Sequence, residues 1–313
     1  MQPMTDYYPT REHFIEERFP RKEPVIHLDS QERANGPLSE EELQDYERNG
    51  FLSFEGYFSS EAVAPFFDEL DDIERDSAMC ARDQVIMDPN QKKVRSVFDM
   101  HKLSSAFDRM TRHPHLLAMV QQLLGSDVYI HQSRINDKSG FCGKGFEWHS
   151  DFETWHSEDG MPAMRAVSAS IMLTDNNAFN GPLMLIPGSH QAFIPCPGET
   201  PDNNWTQSLR KQMVGVPSRE DIADLANSGG IKQPTGPAGS LLLFECNTLH
   251  ASNANMSPWP RSNLFFVYNS VENRMNKPFS GKAPRPSFLA TRDNPPPLKA
   301  HCGEEQGETL LIS

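Results

Sequence analysis

Between residues 128 and 271 the chain carries a series of short apolar runs divided by Gly and Pro turns, and no other feature limits its possible folds as much. The runs are Val128-Tyr-Ile-His-Gln-Ser-Arg-Ile135, Ala166 to Leu173, Leu183 to Ile186, Leu241 to Phe244 and Leu264 to Val271. Between them stand Asn180-Gly181-Pro182, Pro187-Gly188-Ser189, Gly236-Pro237 and Pro258-Trp-Pro260. Many short strands with turn signals predict a β-sandwich or jelly roll.

The part before residue 126 has a different texture. Ser39-Glu-Glu-Glu42 is a capping box that opens a helix over Glu40 to Arg48, stopped by Gly50. Phe51-Leu-Ser-Phe54 is a strand candidate. Ser60 can cap a second helix to about Arg75, with Val63, Phe66, Phe67, Leu70 and Ile73 on one side. His113-Pro114 starts a third helix, ended by Gly125. Residues 1–37 are polar and expected to be an arm or loose lead-in. The expectation is an arm over 1–37 and a single domain over 38–313, helical to about 125, with its β core at about 126–275 and a loop-rich end. The Pro-rich stretch 190–235, with one helix candidate at Arg219 to Asn227, is placed as a possible lid.

Bulk properties exclude several classes. The net charge of -14 argues against a nucleic-acid partner, which needs a basic face for phosphates. Met1 to Arg21 shows no apolar signal-peptide core, and no run reaches membrane-span length, so a cytoplasmic location is expected. Five Cys, at 80, 142, 196, 246 and 302, include no C-x-x-C pair, which disfavours disulfides and structural zinc. Cys142 and Cys246 have no partner that suggests catalysis.

The chemistry lies in His149-Ser150-Asp151 and in His250, which follows Asp151 by 99 residues. In an extended segment, residues i and i+2 point to the same side, so His149 and Asp151 can reach one ion together. Two imidazoles and one carboxylate are the facial triad of non-haem Fe(II) oxygenases, which leaves coordination positions open. Zn(II) accepts the same ligand types, so these residues alone leave the metal open. Arg261 follows His250 by eleven residues. Its planar fork suits a carboxylate, with the distal carboxylate of 2-oxoglutarate as the natural guest. His156 and His190 read as structural, the latter within the Pro-Gly-Ser-His turn.

The segment Asp175-Asn-Asn-Ala-Phe-Asn-Gly-Pro-Leu-Met-Leu-Ile-Pro-Gly-Ser-His190 resembles the phytanoyl-CoA dioxygenase superfamily, where N-G-P-L runs into P-G-S-H between the halves of the metal site. The likeness covers roughly residues 40 to 275. A longer string, Phe146-Glu-Trp-His-Ser-Asp-Phe-Glu-Thr-Trp-His-Ser-Glu-Asp-Gly-Met-Pro-Ala-Met-Arg-Ala-Val-Ser168, resembles the signature of one subfamily, the ectoine hydroxylases.

The resemblance implies a double-stranded β-helix (jelly roll, cupin-like) core with flanking helices. It implies Fe(II) on His149, Asp151 and His250, with O2 and the cosubstrate 2-oxoglutarate, the latter held by Lys138 and Arg261. It places Gln132, Trp155 and Arg285 at the substrate and suggests a homodimer. The implied reaction turns ectoine into 5-hydroxyectoine, with succinate and CO2. Ectoine is a small cyclic amidine with one carboxylate. Arg285 could pair with that carboxylate, Trp155 could lie on the amidinium, and Gln132 could accept a ring N–H. Two other readings stay open: a hydroxylase of another small zwitterion such as a free amino acid, and a non-catalytic sandwich that binds a solute or metal. A CoA thioester fits less well, because no basic cluster awaits its phosphates.

Overall fold

Every residue of the strand Leu241–Glu245 is buried, because the large sheet containing it is covered on both faces. In the computed structural model, which describes residues 5–12, 17–29, 31–88, 93–209 and 211–301, alternate side chains serve two cores. Leu241, Leu243, Leu264 and Phe266 pack with Leu43, Tyr46, Val63, Phe66 and Leu116 of the helices Glu40–Asn49, Ser60–Arg75 and Pro114–Leu124. Leu242, Phe244 and Phe265 point the other way, onto Leu183 and Leu185 of a second sheet. Period-2 alternation between two apolar layers explains why these strands read as unbroken apolar runs.

The large sheet has seven strands in the order Phe51–Phe54, Leu241–Glu245, Ala166–Met172, Arg261–Ser270, Val128–Lys138, Val94–Phe98 and Val85–Met87. The small sheet is Phe146–His149, His250–Ser252 and Leu183–Leu185. All neighbours pair antiparallel. The two facing antiparallel sheets with helices on the outer face are the jelly-roll core expected of the strand pattern.

The three expected N-terminal helices form, and the capping box at Ser39 is made in both directions, but the second helix is capped by Ser59, whose hydroxyl accepts from the Ala62 amide, rather than by Ser60. The strand expected over Val128–Ile135 runs on to Lys138, and its partner starts at Arg261 rather than Leu264. Their pairing sets Arg261 opposite Lys138. Between Val267 and Tyr268 the register shifts, so that Gln132 and Ile130 are the matched residues and His131 is the extra one. That bulge changes which face the strand shows. Ile130 joins the core under the helices, whereas Gln132, Arg134, Asn136 and Lys138 line the cavity between the sheets.

The described residues of the lead-in are not loose. Tyr8 is fully buried against Phe152 and Phe193, Ile26 enters the main core, and Phe19–Pro20 pairs with Ala192–Phe193. Its aromatic and aliphatic residues gain enough burial to overcome the polar average of the segment. Cys80, Cys142, Cys196 and Cys246 are free thiols, and Cys302 lies outside the described residues. Among the described residues no helix is long and apolar enough to cross a membrane.

Candidate active site

The small sheet delivers two of the three expected ligands. His149 ends the strand Phe146–His149 and is the cross-strand partner of His250, the first residue of His250–Ser252. Asp151 arrives differently from the expected extended i, i+2 arrangement. Ser150 is an extended N-cap, its hydroxyl accepting from the Glu153 amide, and Asp151 begins the helical turn Asp151–Thr154. The cap turns the chain, and the turn brings the carboxylate back to the imidazoles. Asp151 Oδ1 lies 3.7 Å from His149 Nε2, and Oδ2 lies 3.9 Å from His250 Nε2. One ligand atom from each residue falls within 4.8 Å of the others.

The electrostatics suit a cation. His149 Nδ1 donates to the Glu147 carbonyl at 2.8 Å, and His250 Nδ1 donates to the Thr248 carbonyl at 3.0 Å. Each Nε2 therefore presents a lone pair to the common point. Burial, then the neighbouring His250, pushes the His149 pKa down to about 3, so its ring is neutral near pH 7. Burial alone would raise the Asp151 pKa, but His250 and Arg134 outweigh it and keep the carboxylate ionised. Among the described residues, Asp151 Oδ2 is buried without a hydrogen-bond partner. A buried anionic oxygen without a partner beside two lone pairs fits a divalent metal ion.

A second set of unmatched atoms lies further along the cavity. Arg261 is 2% exposed, and its Nε and Nη2 are buried without partners among the described residues. Burial lowers its pKa to about 10. Lys138, its cross-strand partner, donates to Ser252 Oγ at 2.8 Å and to the Asn253 carbonyl at 2.6 Å. Burial, then Arg261 and Arg95, push the Lys138 pKa down to about 6. A guanidinium with unused donors, beside a lysine whose charge an arriving anion would favour, forms a receptor for a carboxylate. Both residues line the same cavity of about 130 Å³ as the triad.

The remaining expected residues line that cavity too. Trp155 is 2% exposed and meets His131 edge-on at 5.2 Å. Gln132 is held at both ends, its Nε2 donating to the Leu289 carbonyl and its Oε1 accepting from Arg134 Nη1, each at 2.7 Å. Arg285 is gripped by Asp159: Nε donates to Oδ1 at 2.8 Å and Nη2 donates to Oδ2. Burial would lower the Arg285 pKa, but Asp159 and then Glu158 raise it.

Sequence reading passed over four charged wall residues, Arg95, Arg134, Asp137 and Glu158. Arg134 lies two positions beyond Gln132 on one strand, a period-2 signal that was available, and stacks over the Phe265 ring at 4.8 Å. Glu158 gave no local signal, because its place depends on the turn Trp155–Asp159. From the stretch 190–235, Asn204, Ser208, Leu209, Gln212 and Val214 line the cavity. The two histidines read as structural each make hydrogen bonds within the fold: His156 bonds the Met161 carbonyl and Asp6, and His190 bonds the Glu47 carbonyl. Cys142 is exposed, and buried Cys246 donates to Glu245.

Comparison with known proteins agrees with this geometry. Residues 46–263 match the family model described as phytanoyl-CoA dioxygenase. An ectoine dioxygenase of Bordetella bronchiseptica is 50% identical over 292 residues, covering 93% of this chain and 94% of that protein. The crystal structure of EctD from S. alaskensis with 2-oxoglutarate and 5-hydroxyectoine is 41% identical, with a TM-score of 0.84 over 95% of this chain and 98% of that one. The same enzyme with bound Fe is 40% identical with a TM-score of 0.83, at the same coverage.

Proposed function

Because the chain belongs to the phytanoyl-CoA dioxygenase family, we propose that it is an Fe(II)- and 2-oxoglutarate-dependent dioxygenase that hydroxylates ectoine to 5-hydroxyectoine, releasing succinate and CO2. The observation that carries this reading is the pairing of two sets in one cavity, unmatched among the described residues: the His149–Asp151–His250 ligand atoms and the free guanidinium donors of Arg261.

Iron bound with 2-oxoglutarate supplies the oxidising power for O2 activation and C–H cleavage. The chain supplies position. His149, Asp151 and His250 hold the metal by one face, and the carbonyls of Glu147 and Thr248 fix the two rings. Arg261 takes the distal carboxylate of 2-oxoglutarate on its fork, and Lys138 adds a second charge. Gln132, Trp155 and Arg285 hold the substrate so that one ring carbon is aimed at the metal. The buried walls keep water out and strengthen each of these contacts. Which carbon reacts is then decided by these wall residues. A homodimer belongs to the same reading, supported by the family resemblance, and the free thiols of the described cysteines suit the cytoplasm.

The test is anaerobic reconstitution with Fe(II), followed by O2, 2-oxoglutarate and ectoine, with products counted by mass spectrometry. Equal amounts of succinate and 5-hydroxyectoine are expected. Succinate without hydroxyectoine would reject the substrate, and neither product from iron-loaded protein would reject the oxygenase.

A further inference from the structure

Arg11 and Glu158 lie 147 residues apart in the chain, yet they meet beside the cavity. Arg11 lies in the N-terminal arm, 5% exposed, with a φ of 61° that a non-glycine residue rarely adopts. Its Nε donates to Glu153 Oε1 at 2.9 Å and its Nη2 donates to Glu153 Oε2 at 2.8 Å. Its Nη1 donates to Thr200 Oγ1 at 2.9 Å and to Glu158 Oε1. One guanidinium thus ties together the turn that carries Asp151, the turn that carries Glu158, and the segment around Thr200.

The grip on Glu158 is one-sided. Oε1 accepts from Arg11 and also from Asn204 Nδ2 at 2.7 Å. Oε2 has no hydrogen-bond partner among the described residues. Glu158 is 4% exposed and lines the cavity together with Gln132, Trp155 and Arg285. Arg11 faces Glu153 and Glu158, while Arg285, His131 and Arg292 gather around Asp159. A carboxylate oxygen left without a donor on a cavity wall is suited to receive a cation.

Ectoine carries such a cation in its delocalised amidinium, whose N–H groups point in the plane of the ring. We propose that Glu158 is the specificity-determining residue that receives this amidinium through Oε2, with Oε1 anchored by Arg11 and Asn204. A positive and a negative wall, Glu158 and Arg285, then match the two poles of a small zwitterion. The inference rests on ectoine being the substrate.

The experiment measures anaerobic binding of ectoine to enzyme loaded with Fe(II) and 2-oxoglutarate, beside steady-state kinetics. The proteins are the wild type and Glu158→Gln, and the comparison ligand is a six-membered cyclic carboxylate with an uncharged ring. Glu158→Gln should weaken ectoine binding roughly tenfold to a hundredfold and raise KM accordingly. It should change kcat much less, and leave both the KM for 2-oxoglutarate and the binding of the uncharged-ring ligand unaltered. Wild-type affinity for ectoine in the variant would overturn the inference, as would an equal loss for both ligands. Should the variant fail to fold, the wild type alone decides. At least tenfold preference for ectoine over the uncharged-ring ligand supports the inference, and equal binding overturns it. No ectoine binding to the wild type would overturn the substrate reading, and this inference with it.

Discussion

His149 and His250 are direct cross-strand partners, with ring centroids 4.2 Å apart. Two of the three ligands are therefore oriented by strand pairing, and only Asp151 depends on a turn. Replacing any one of the three by Ala should abolish product formation. Iron affinity should fall by more than the roughly 10–100-fold typical of losing an outer-shell partner. Iron content after anaerobic loading and desalting checks this, and an Ala variant that keeps a full complement of iron would contradict it.

Arg261 has two buried donors with no protein acceptor among the described residues. Arg261→Lys keeps the charge and loses the fork, so the KM for 2-oxoglutarate should rise about tenfold or more, with the KM for ectoine little changed. Initial-rate measurements with each substrate varied in turn would show it. An unchanged KM for 2-oxoglutarate would remove Arg261 from the carboxylate site.

Lys138 gives that site a pH signature. Its pKa in the ligand-free fold is about 6, far below the ordinary 10.5 of lysine. Between these values the folded protein holds fewer protons at this position than the unfolded chain, so this residue makes the ligand-free protein more stable as pH rises from about 6 to about 10.5. An arriving dicarboxylate favours the charged ammonium and raises its pKa. Binding 2-oxoglutarate near pH 7.5 should then take up protons, and Lys138→Met should suppress that uptake. Calorimetry in buffers of different ionisation heat measures it directly.

Asp159 holds Arg285 with two hydrogen bonds, and both side chains are buried. Asp159→Ala leaves a buried guanidinium without its counter-charge, at a cost of about 3–5 kcal/mol. Urea denaturation should register that loss, and the KM for ectoine should rise because Arg285 is no longer fixed. A variant as stable as the wild type would show that water replaces the carboxylate at no cost.

Gly160 follows with a φ of 80°, and a Cβ there would stand 2.4 Å from the Asn276 carbonyl oxygen. Gly160→Ala should cost roughly 1–3 kcal/mol from overpacking, in addition to backbone strain. It should also disturb the turn carrying Glu158 and Asp159. Thermal unfolding beside ectoine binding would test both effects.

Local chemistry carried much of this protein's design in readable form. Ser39 and Glu42 stand at capping-box spacing, Gly50 and Gly125 end helices in the left-handed conformation, and apolar runs bounded by Gly and Pro became strands. The triad and Arg261 were legible because metal and carboxylate chemistry needs those residue types. What stayed hidden depended on contacts between distant segments. The bulge at His131, which turns Gln132, Arg134 and Lys138 into the cavity, arises from pairing with a strand more than a hundred residues later. The short strands Phe146–His149 and His250–Ser252 gain their structure from each other and from Leu183–Leu185 rather than from their own composition. Arg11 looked like part of a polar lead-in, and only folding brings it to two carboxylates beside the cavity. Periodicity and capping act over a few residues and can be read from the chain. Strand register, bulge position and the pairing of buried charges depend on long-range packing, and these the tertiary structure alone decided.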